Sequence, residues 1–279
     1  MKNLLIASTA LVASAGFASA DIALDGSANM GVKYNAAAAN TTTIHHEVDF
    51  GISGSGTTDG GLTFGASLDV DDQNADDGNV NDSEVFISGA FGTLTVGSVS
   101  AATDGFGSAD VGFDGIGVDD DAEGIKNAGG TADAHFKATF DALTITVAGH
   151  STNGDASIAL GYKMGDFSAS IGHSDNSGLG GNRAATSIQL GGTFGAVKAN
   201  AFYTDGSGSV TTNGYGVDFG YTMGATTFTI AYGDTDAAGD DADYGIGAAH
   251  SLGGGATLAG GVGSVDGVSV ADFGINLSF

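Results

Sequence analysis

The sequence predicts an all-β protein, a sixteen-stranded antiparallel β-barrel that crosses a membrane. Three observations support this fold class: an export signal at the N-terminus, alternating apolar and polar residues along most of the remaining chain, and short turns that alternate with longer polar loops. Alternation at every second residue gives a strand one apolar and one polar face. Within lipid, only a closed barrel lets such strands satisfy all their backbone hydrogen bonds.

Residues 1–20 have the features of a cleaved secretory signal peptide. Lys2 supplies a positive charge, Leu4–Ala15 is apolar, and Ala18–Ala20 contains the small residues that signal peptidase requires before Asp21. We therefore expect a single barrel domain over residues 21–279, in a protein that functions outside the cytoplasm.

The composition narrows the range of functions. A formal net charge of −26 argues against nucleic acid as a partner, because phosphates require a basic surface. The same charge favours cations. Acidic chains rich in glycine can be disordered, but hydrophobic residues make up 42% of this chain and are regularly placed. No apolar run of about 18 residues follows the signal, which excludes helical membrane spans.

The first expected strand has apolar residues at every second position from Ile22 to Tyr34 and polar or small residues between them. The same pattern recurs along the chain, with a weaker strand at Thr93–Val99. Further strands begin near Ile44, Leu62, Val85, Ala134, Leu143, Ile158, Phe167, Ile188, Val197, Tyr215, Thr226, Tyr244, Leu258 and Phe273. Seven tight turns and eight loops, two of them shorter than the rest, separate the strands, which is the arrangement of an even-stranded outer-membrane barrel.

Charged residues follow the same parity. A Lys or Arg at the centre of the lipid-facing surface costs about 2–4 kcal/mol, so charges should point into the barrel. Those with inward parity are Asp25, Lys33, Glu47, Asp49, Lys137, Lys163, Lys198 and Asp218. The ionisable exceptions, near strand ends, are His46, His173 and His250.

The longest interruption of the strand pattern is Ser100–Gly130. An irregular segment of about thirty residues inside a compact domain is usually functional or disordered. We expect it to fold into the barrel and form a negative constriction that attracts cations; the alternative is a solvated loop whose acids confer only solubility. The expected constriction residues are Asp104, Asp110, Asp114, Asp119, Asp120, Asp121 and Glu123, against one base, Lys126.

Two further sites follow from the same pattern. Clustered carboxylates can hold Ca²⁺, so Asp119, Asp120 and Asp121 are a candidate calcium site, although no cofactor is required. The wall opposite the loop is expected to carry Lys33, His45, Glu47, Asp49, His135 and Lys137, for which ordinary lumen lining is the alternative. If the two histidines line the narrow zone, cation selectivity should weaken between about pH 7 and 5, where histidine gains charge.

Two other functions are weighed against a channel. A soluble, exported calcium-binding or adhesive β-protein would share the alternation, but a β-roll needs tandem Gly- and Asp-rich nonapeptides, which the sequence lacks. An outer-membrane barrel hydrolase would need an activated serine, and no G-x-S-x-G motif is present. We therefore expect no enzyme.

The C-terminal segment Ala271–Phe279 resembles the last strand of outer-membrane proteins, whose terminal Phe is recognised by the barrel-assembly machinery. More specifically, the chain resembles the general porins of the Rhodobacter type from α-proteobacteria. The segments that carry this resemblance are Gly56–Asp69, Glu84–Ser98 and Tyr244–Val262, continuing to Phe279.

This resemblance implies a homotrimer of sixteen-stranded barrels in the Gram-negative outer membrane, in contact with lipid. Small hydrophilic solutes and cations would diffuse through each pore, and the third extracellular loop, here Ser100–Gly130, would form a constriction inside it. The chain departs from such porins in being shorter and in having no Trp. It also lacks their arginine cluster, since its one Arg, Arg183, is expected in a loop.

Overall fold

The computed structural model describes residues 21–71, 81–126, 132–176 and 182–279, so the expected signal peptide lies outside the described residues. The described residues form sixteen strands and one five-residue helix, α1 (Asp120–Gly124), which the sequence pattern did not predict. The strands are β1 (Asp21–Asn35), β2 (Thr42–Thr57), β3 (Thr63–Asp71), β4 (Asn81–Gly89), β5 (Gly92–Val99), β6 (Ala132–Phe140), β7 (Leu143–Gly149), β8 (Ala156–Met164), β9 (Phe167–Asp175), β10 (Arg183–Phe194), β11 (Val197–Gly208), β12 (Asn213–Met223), β13 (Thr226–Thr235), β14 (Asp243–Gly253), β15 (Ala256–Val265) and β16 (Val268–Ser278).

The strands close into one antiparallel barrel in which each pairs with its neighbours in sequence. Closure is made by β1 and β16, where Met30 lies opposite Ile275. At the end of this seam Gly26 and Phe279 exchange two backbone hydrogen bonds of 2.8 and 2.9 Å. The predicted sixteen-stranded barrel is thus confirmed. A β-roll, which is an open solenoid of stacked turns, is excluded.

The outer surface is apolar and the inner surface is polar. Large outward side chains remain exposed, such as Ile44 and Ile230, which are 86% and 52% accessible. Polar groups are instead enclosed, as in the 2.8 Å hydrogen bond between Ser187 and Thr204. A soluble barrel would bury its apolar face, whereas lipid accepts this arrangement. Among the described residues, no helix is long and apolar enough to span a membrane.

Short and long connections alternate around the barrel as far as β15, which two residues, Asp266 and Gly267, join to β16. Turns of two residues join several hairpins at the end where both termini lie, and Gly165 (φ 61°) and Asp141 (φ 56°) adopt the left-handed conformation that two of them require. Loops occupy the opposite end. The third of these follows β5 and is named L3 (Ser100–Gly130); the structure describes it up to Lys126. One connection was predicted wrongly: Arg183 is the first residue of β10, paired with Gly208, and is not in a loop.

Candidate functional site

L3 lies inside the barrel and supplies six of the buried apolar side chains among the described residues. Helix α1 packs on β12 and β13, and a small cluster joins Val111 and Val118 of L3 to Ala231 of the wall. Burying these side chains against the wall provides the hydrophobic driving force that keeps L3 in place. The buried apolar residues of L3 are Phe106, Val111, Phe113, Val118, Ala122 and Ile125.

Hydrogen bonds fasten L3 to the wall along its length. Near its start, the Ala102 amide donates to Ser157 Oγ on β8 (2.8 Å). Further along, the Gly107 amide donates to Gln189 Oε1 on β10 (3.0 Å). At the far end of the described segment, Ser174 Oγ on β9 donates to the carbonyl of Lys126 (2.7 Å). These contacts satisfy backbone groups that would be costly to bury unpaired.

The strongest anchor is Asp272 on β16, whose side chain is 6% accessible. One carboxylate oxygen accepts hydrogen bonds from the amides of Phe113 (2.9 Å) and Asp114 (3.1 Å), and the other accepts from Gly261 (2.8 Å). Hydrogen bonds to a carboxylate are about twice as strong as neutral ones. Asn276, also on β16, donates to the Phe113 carbonyl (2.9 Å), so this strand holds the midpoint of L3.

The wall beneath L3 is built from inward glycines. A Cβ atom at Gly233 would lie 2.5 Å from the Val118 carbonyl oxygen, and one at Gly261 would lie 2.9 Å from the Gly112 Cα. L3 therefore rests directly on the barrel backbone, where no larger residue fits. The inward glycines in such contact are Gly31, Gly172, Gly214, Gly233, Gly245, Gly247, Gly261, Gly263 and Gly274.

The described contacts of L3 are with β1, β2 and β8–β16. We therefore expect the passage through the barrel to run between L3 and the wall made by β3–β7. His135 and Lys137 have inward parity on β6, and their position opposite L3 stays a prediction. Lys33 and His45 were also expected opposite L3, but both contact its residue Asp114.

Asp114 is the centre of a polar junction between L3 and the first two strands. Lys33 Nζ pairs with Asp114 Oδ2, and His45 Nε2 lies 3.1 Å from the same oxygen. Asn29 donates to Glu47 Oε2 (2.9 Å) and lies 3.5 Å from Asp114 Oδ1. Asp49, the remaining expected wall residue, accepts a 3.0 Å hydrogen bond from Ser27 Oγ farther down β2.

The seven acids expected in the constriction do not share one environment. Asp114 pairs with Lys33, and Glu123 pairs with Lys126 (2.7 Å) while accepting from the Ser108 amide (2.6 Å). Asp119 is buried, with 6% of its surface accessible. Four are exposed to solvent: Asp104, Asp110, Asp120 and Asp121.

Burial raises the pKa of Asp119 to about 7, with a further contribution from the carboxylates of Asp110 and Glu123. Burial and Asp110 also raise the pKa of Asp120. L3 is thus an acidic segment in which some carboxyl groups retain a proton more readily than in water.

The expected calcium site at Asp119, Asp120 and Asp121 is not formed by these three residues. Asp119 is buried at the start of α1, and Asp121 points toward Asp240 and Asp266 of the last two loops. Among the described residues, two groups bring three ligand atoms within 4.8 Å: Asp121 with Asp240 and Asp266, and His45 with Glu47 and Asp114. Calcium binding itself stays a prediction.

The residues that hold L3 were not found from the sequence. Asp272, Gln189 and Asn276 lie within regular strands, and their inward parity marks them only as lumen residues. The inward glycines carried a signal, because they recur on the polar parity of β12–β16, but nothing in the sequence indicates what approaches them.

Comparisons with known proteins agree with this geometry. The sequence profile of the Gram-negative porin family matches residues 7–268. A porin of Rhodobacter capsulatus is 29% identical over 211 residues, which cover 67% of this chain and 68% of that protein.

Among solved structures, a triple variant of the Rhodopseudomonas blastica porin superimposes with a TM-score of 0.78 at 22% identity. The alignment covers 93% of this chain and 100% of that one. A porin structure refined at 1.8 Å gives a TM-score of 0.72 at 24% identity, with the same coverage.

At this level of identity the structural matches show only the shared fold. The family match extends over nearly the whole chain and agrees with the closed barrel, the outward apolar surface and the internal loop. The chain therefore belongs to the family of Gram-negative porins, the general diffusion channels of the outer membrane.

Proposed function

We propose that this porin conducts cations in preference to anions while small hydrophilic solutes diffuse through it passively. The observation that carries the proposal is the charge balance at L3. Its one base, Lys126, is paired with Glu123, and the nearest wall lysine, Lys33, is paired with Asp114. Among the described residues no salt bridge reaches the exposed Asp110, Asp120 or Asp121 of L3, and an acid-lined narrow zone concentrates cations.

Two other inward lysines lie near the turn end of the barrel. Lys163 and Lys198 are each within two residues of a tight turn and line one cavity with Asp218. Lys137 lies farther up the wall, four residues before the turn that follows β6. A cation entering from the loop end meets the acidic segment first, which supports selectivity for cations in spite of these lysines.

The test is the reversal potential of single channels in a planar bilayer under a KCl gradient. A triple variant with Asn at Asp104, Asp110 and Asp120 should shift this potential toward the anion side. The matched control carries Asn at Asp59, Asp141 and Asp166, which are equally exposed but lie in the turns. Equal shifts in both variants would show that only total charge matters and would refute the role of L3.

The proposal extends to assembly and chemistry. The apolar outer surface fits lipid or a neighbouring barrel, which supports a homotrimer assembled with the help of the terminal Phe279. The mature protein would act without catalysis or a required cofactor. The hydroxyl–imidazole contacts of His173 with Thr186 (2.9 Å) and of His250 with Thr226 (2.8 Å) face outward, where a water-soluble substrate does not reach them. Cross-linking in native membranes tests the trimer.

That His45 and His135 make the ion selectivity of the pore depend on pH also stays a prediction. His45 adjoins the Asp114 carboxylate, and His135 is expected on the facing wall. If both affect the permeating ions, selectivity for cations should fall as the pH is lowered, because histidine gains charge. A double variant with Gln at both positions should then show a flatter profile.

A further inference from the structure

We propose that His45, Glu47 and Asp114 form a binding site for a divalent transition-metal ion of the Zn²⁺ type. The site lies where L3 meets the barrel wall. His45 and Glu47 are two positions apart on β2 and so project from the same face of the strand. Asp114 reaches them from L3, and the three ligand atoms lie within 4.8 Å of one another.

The chemistry of this ligand set distinguishes it from the acidic clusters elsewhere in the chain. One imidazole nitrogen and two carboxylate oxygens suit Zn²⁺ and similar ions, with water in the fourth position. Ca²⁺ prefers six to eight oxygen ligands, which this junction does not offer. The expected ligand is therefore a transition metal rather than the calcium predicted for Asp119–Asp121.

The geometry of His45 is the second, independent observation. Its Nε2 atom is shielded from solvent and has no hydrogen-bond partner, because Asp114 Oδ2, although 3.1 Å away, lies outside hydrogen-bond geometry. In a tetrahedral site with bonds of 2.0–2.1 Å, two ligand atoms are about 3.3 Å apart. A metal ion bound by both atoms would satisfy the buried nitrogen, which is otherwise costly.

Neighbouring residues orient the ligands. Asn29 donates a 2.9 Å hydrogen bond to Glu47 Oε2 and lies within 3.5 Å of Asp114 Oδ1. The ring of Phe113 packs edge-on against His45, with centroids 5.8 Å apart. Such outer contacts hold metal ligands in position and typically change affinity by about 10–100-fold when removed.

Lys33 competes with the metal for Asp114. Its ammonium pairs with Asp114 Oδ2, so a bound ion must displace it or share the carboxylate. The Lys33 side chain is 36% accessible, and a long exposed side chain can turn into the lumen. Replacing it by Met should therefore strengthen metal binding, because the competing cation is removed.

The experiment is calorimetric titration of the refolded full-length barrel with ZnCl₂ in detergent, in the presence of excess CaCl₂ and KCl. We expect one saturable site per chain. The variant His45→Gln should bind at least about 100-fold more weakly, since it loses a ligand. The control His46→Gln, whose side chain points outward from the adjacent position, should bind as the wild type does. Heat-modifiable migration on gels confirms that each variant is folded.

A spectroscopic arm makes the assignment specific. Cu²⁺ bound to the wild-type barrel should show the electron paramagnetic hyperfine splitting of one imidazole nitrogen, and His45→Gln should lose it. Equal Zn²⁺ affinity in the wild type and His45→Gln, or displacement of Zn²⁺ by Ca²⁺, would indicate diffuse carboxylate binding and overturn the proposal. Neither measurement depends on ion conduction. The metal-site proposal can therefore be refuted while the proposed cation selectivity holds, and cation selectivity can be refuted while the metal site holds.

Discussion

Replacing Asp272 with Ala is expected to release L3 from the barrel wall. This carboxylate accepts hydrogen bonds from the amides of Phe113 (2.9 Å) and Asp114 (3.1 Å) at the midpoint of the loop. In the Ala variant both amides lose their acceptor. They can regain one only if water enters the contact or the loop moves away.

The size of the effect follows from these two contacts. A hydrogen bond to a charged group contributes about 1.5–3 kcal/mol, so docking of L3 should weaken by about 3–6 kcal/mol. Because about 1.4 kcal/mol is tenfold in an equilibrium constant, local opening should become about 10²–10⁴ times more frequent. Asp272→Asn retains an acceptor oxygen and should have a smaller effect.

Hydrogen exchange measures this opening directly. The protection of the Phe113 and Asp114 amides should fall by the factor above, while amides in β4 and β7, which lie away from the contact, should be unchanged. Single-channel currents should become noisier as L3 leaves the lumen. Asp25→Ala, which removes an inward carboxylate from β1, serves as the control. If the Phe113 amide of Asp272→Ala is as well protected from hydrogen exchange as in the wild type, Asp272 does not anchor L3.

Three other predictions follow from the structure. Gly261→Val should weaken the docking of L3 by about 1–3 kcal/mol through overpacking and should speed hydrogen exchange at the Gly112 amide. Gly220→Val, where the added side chain would meet free space, should change neither. Asp119 has a pKa of about 7 in the docked loop, against an ordinary value of 3.8. As the pH rises between these two values, the Asp119 carboxyl ionises in the undocked loop but stays protonated in the docked one, so docking of L3 weakens. Hydrogen exchange of the L3 amides, corrected for the intrinsic rate, should therefore be faster at pH 8 than at pH 5. If the Asp119→Asn variant shows the same difference between the two pH values, this explanation is wrong. Ile230→Arg, on the lipid-facing side of β13, should lower the free energy of unfolding in vesicles by about 2–4 kcal/mol; the inward neighbour Thr229→Arg should cost less in urea titrations, and equal costs would argue against the assigned faces.

The barrel was predictable because its pattern is local and repeated. The apolar face of β1 and those of the later strands can be read from alternate residues, since lipid and water select opposite residue types on the two sides of each strand. The position of L3 in the chain was also evident, as the one long segment without strand periodicity. Helix α1 was missed because five residues are too few to show a helical period.

The sequence by itself determined the strand number, the order of turns and loops, and the side of the wall on which each charge lies. Only the tertiary structure decided how the seven acids of L3 divide into paired, buried and exposed groups. Asp114 meets Lys33 and His45 across about 70 to 80 residues of chain, and Asp272 meets Phe113 across about 160. Those meetings depend on where the loop crosses the lumen, which the closure of the barrel and the glycine-lined wall determine together.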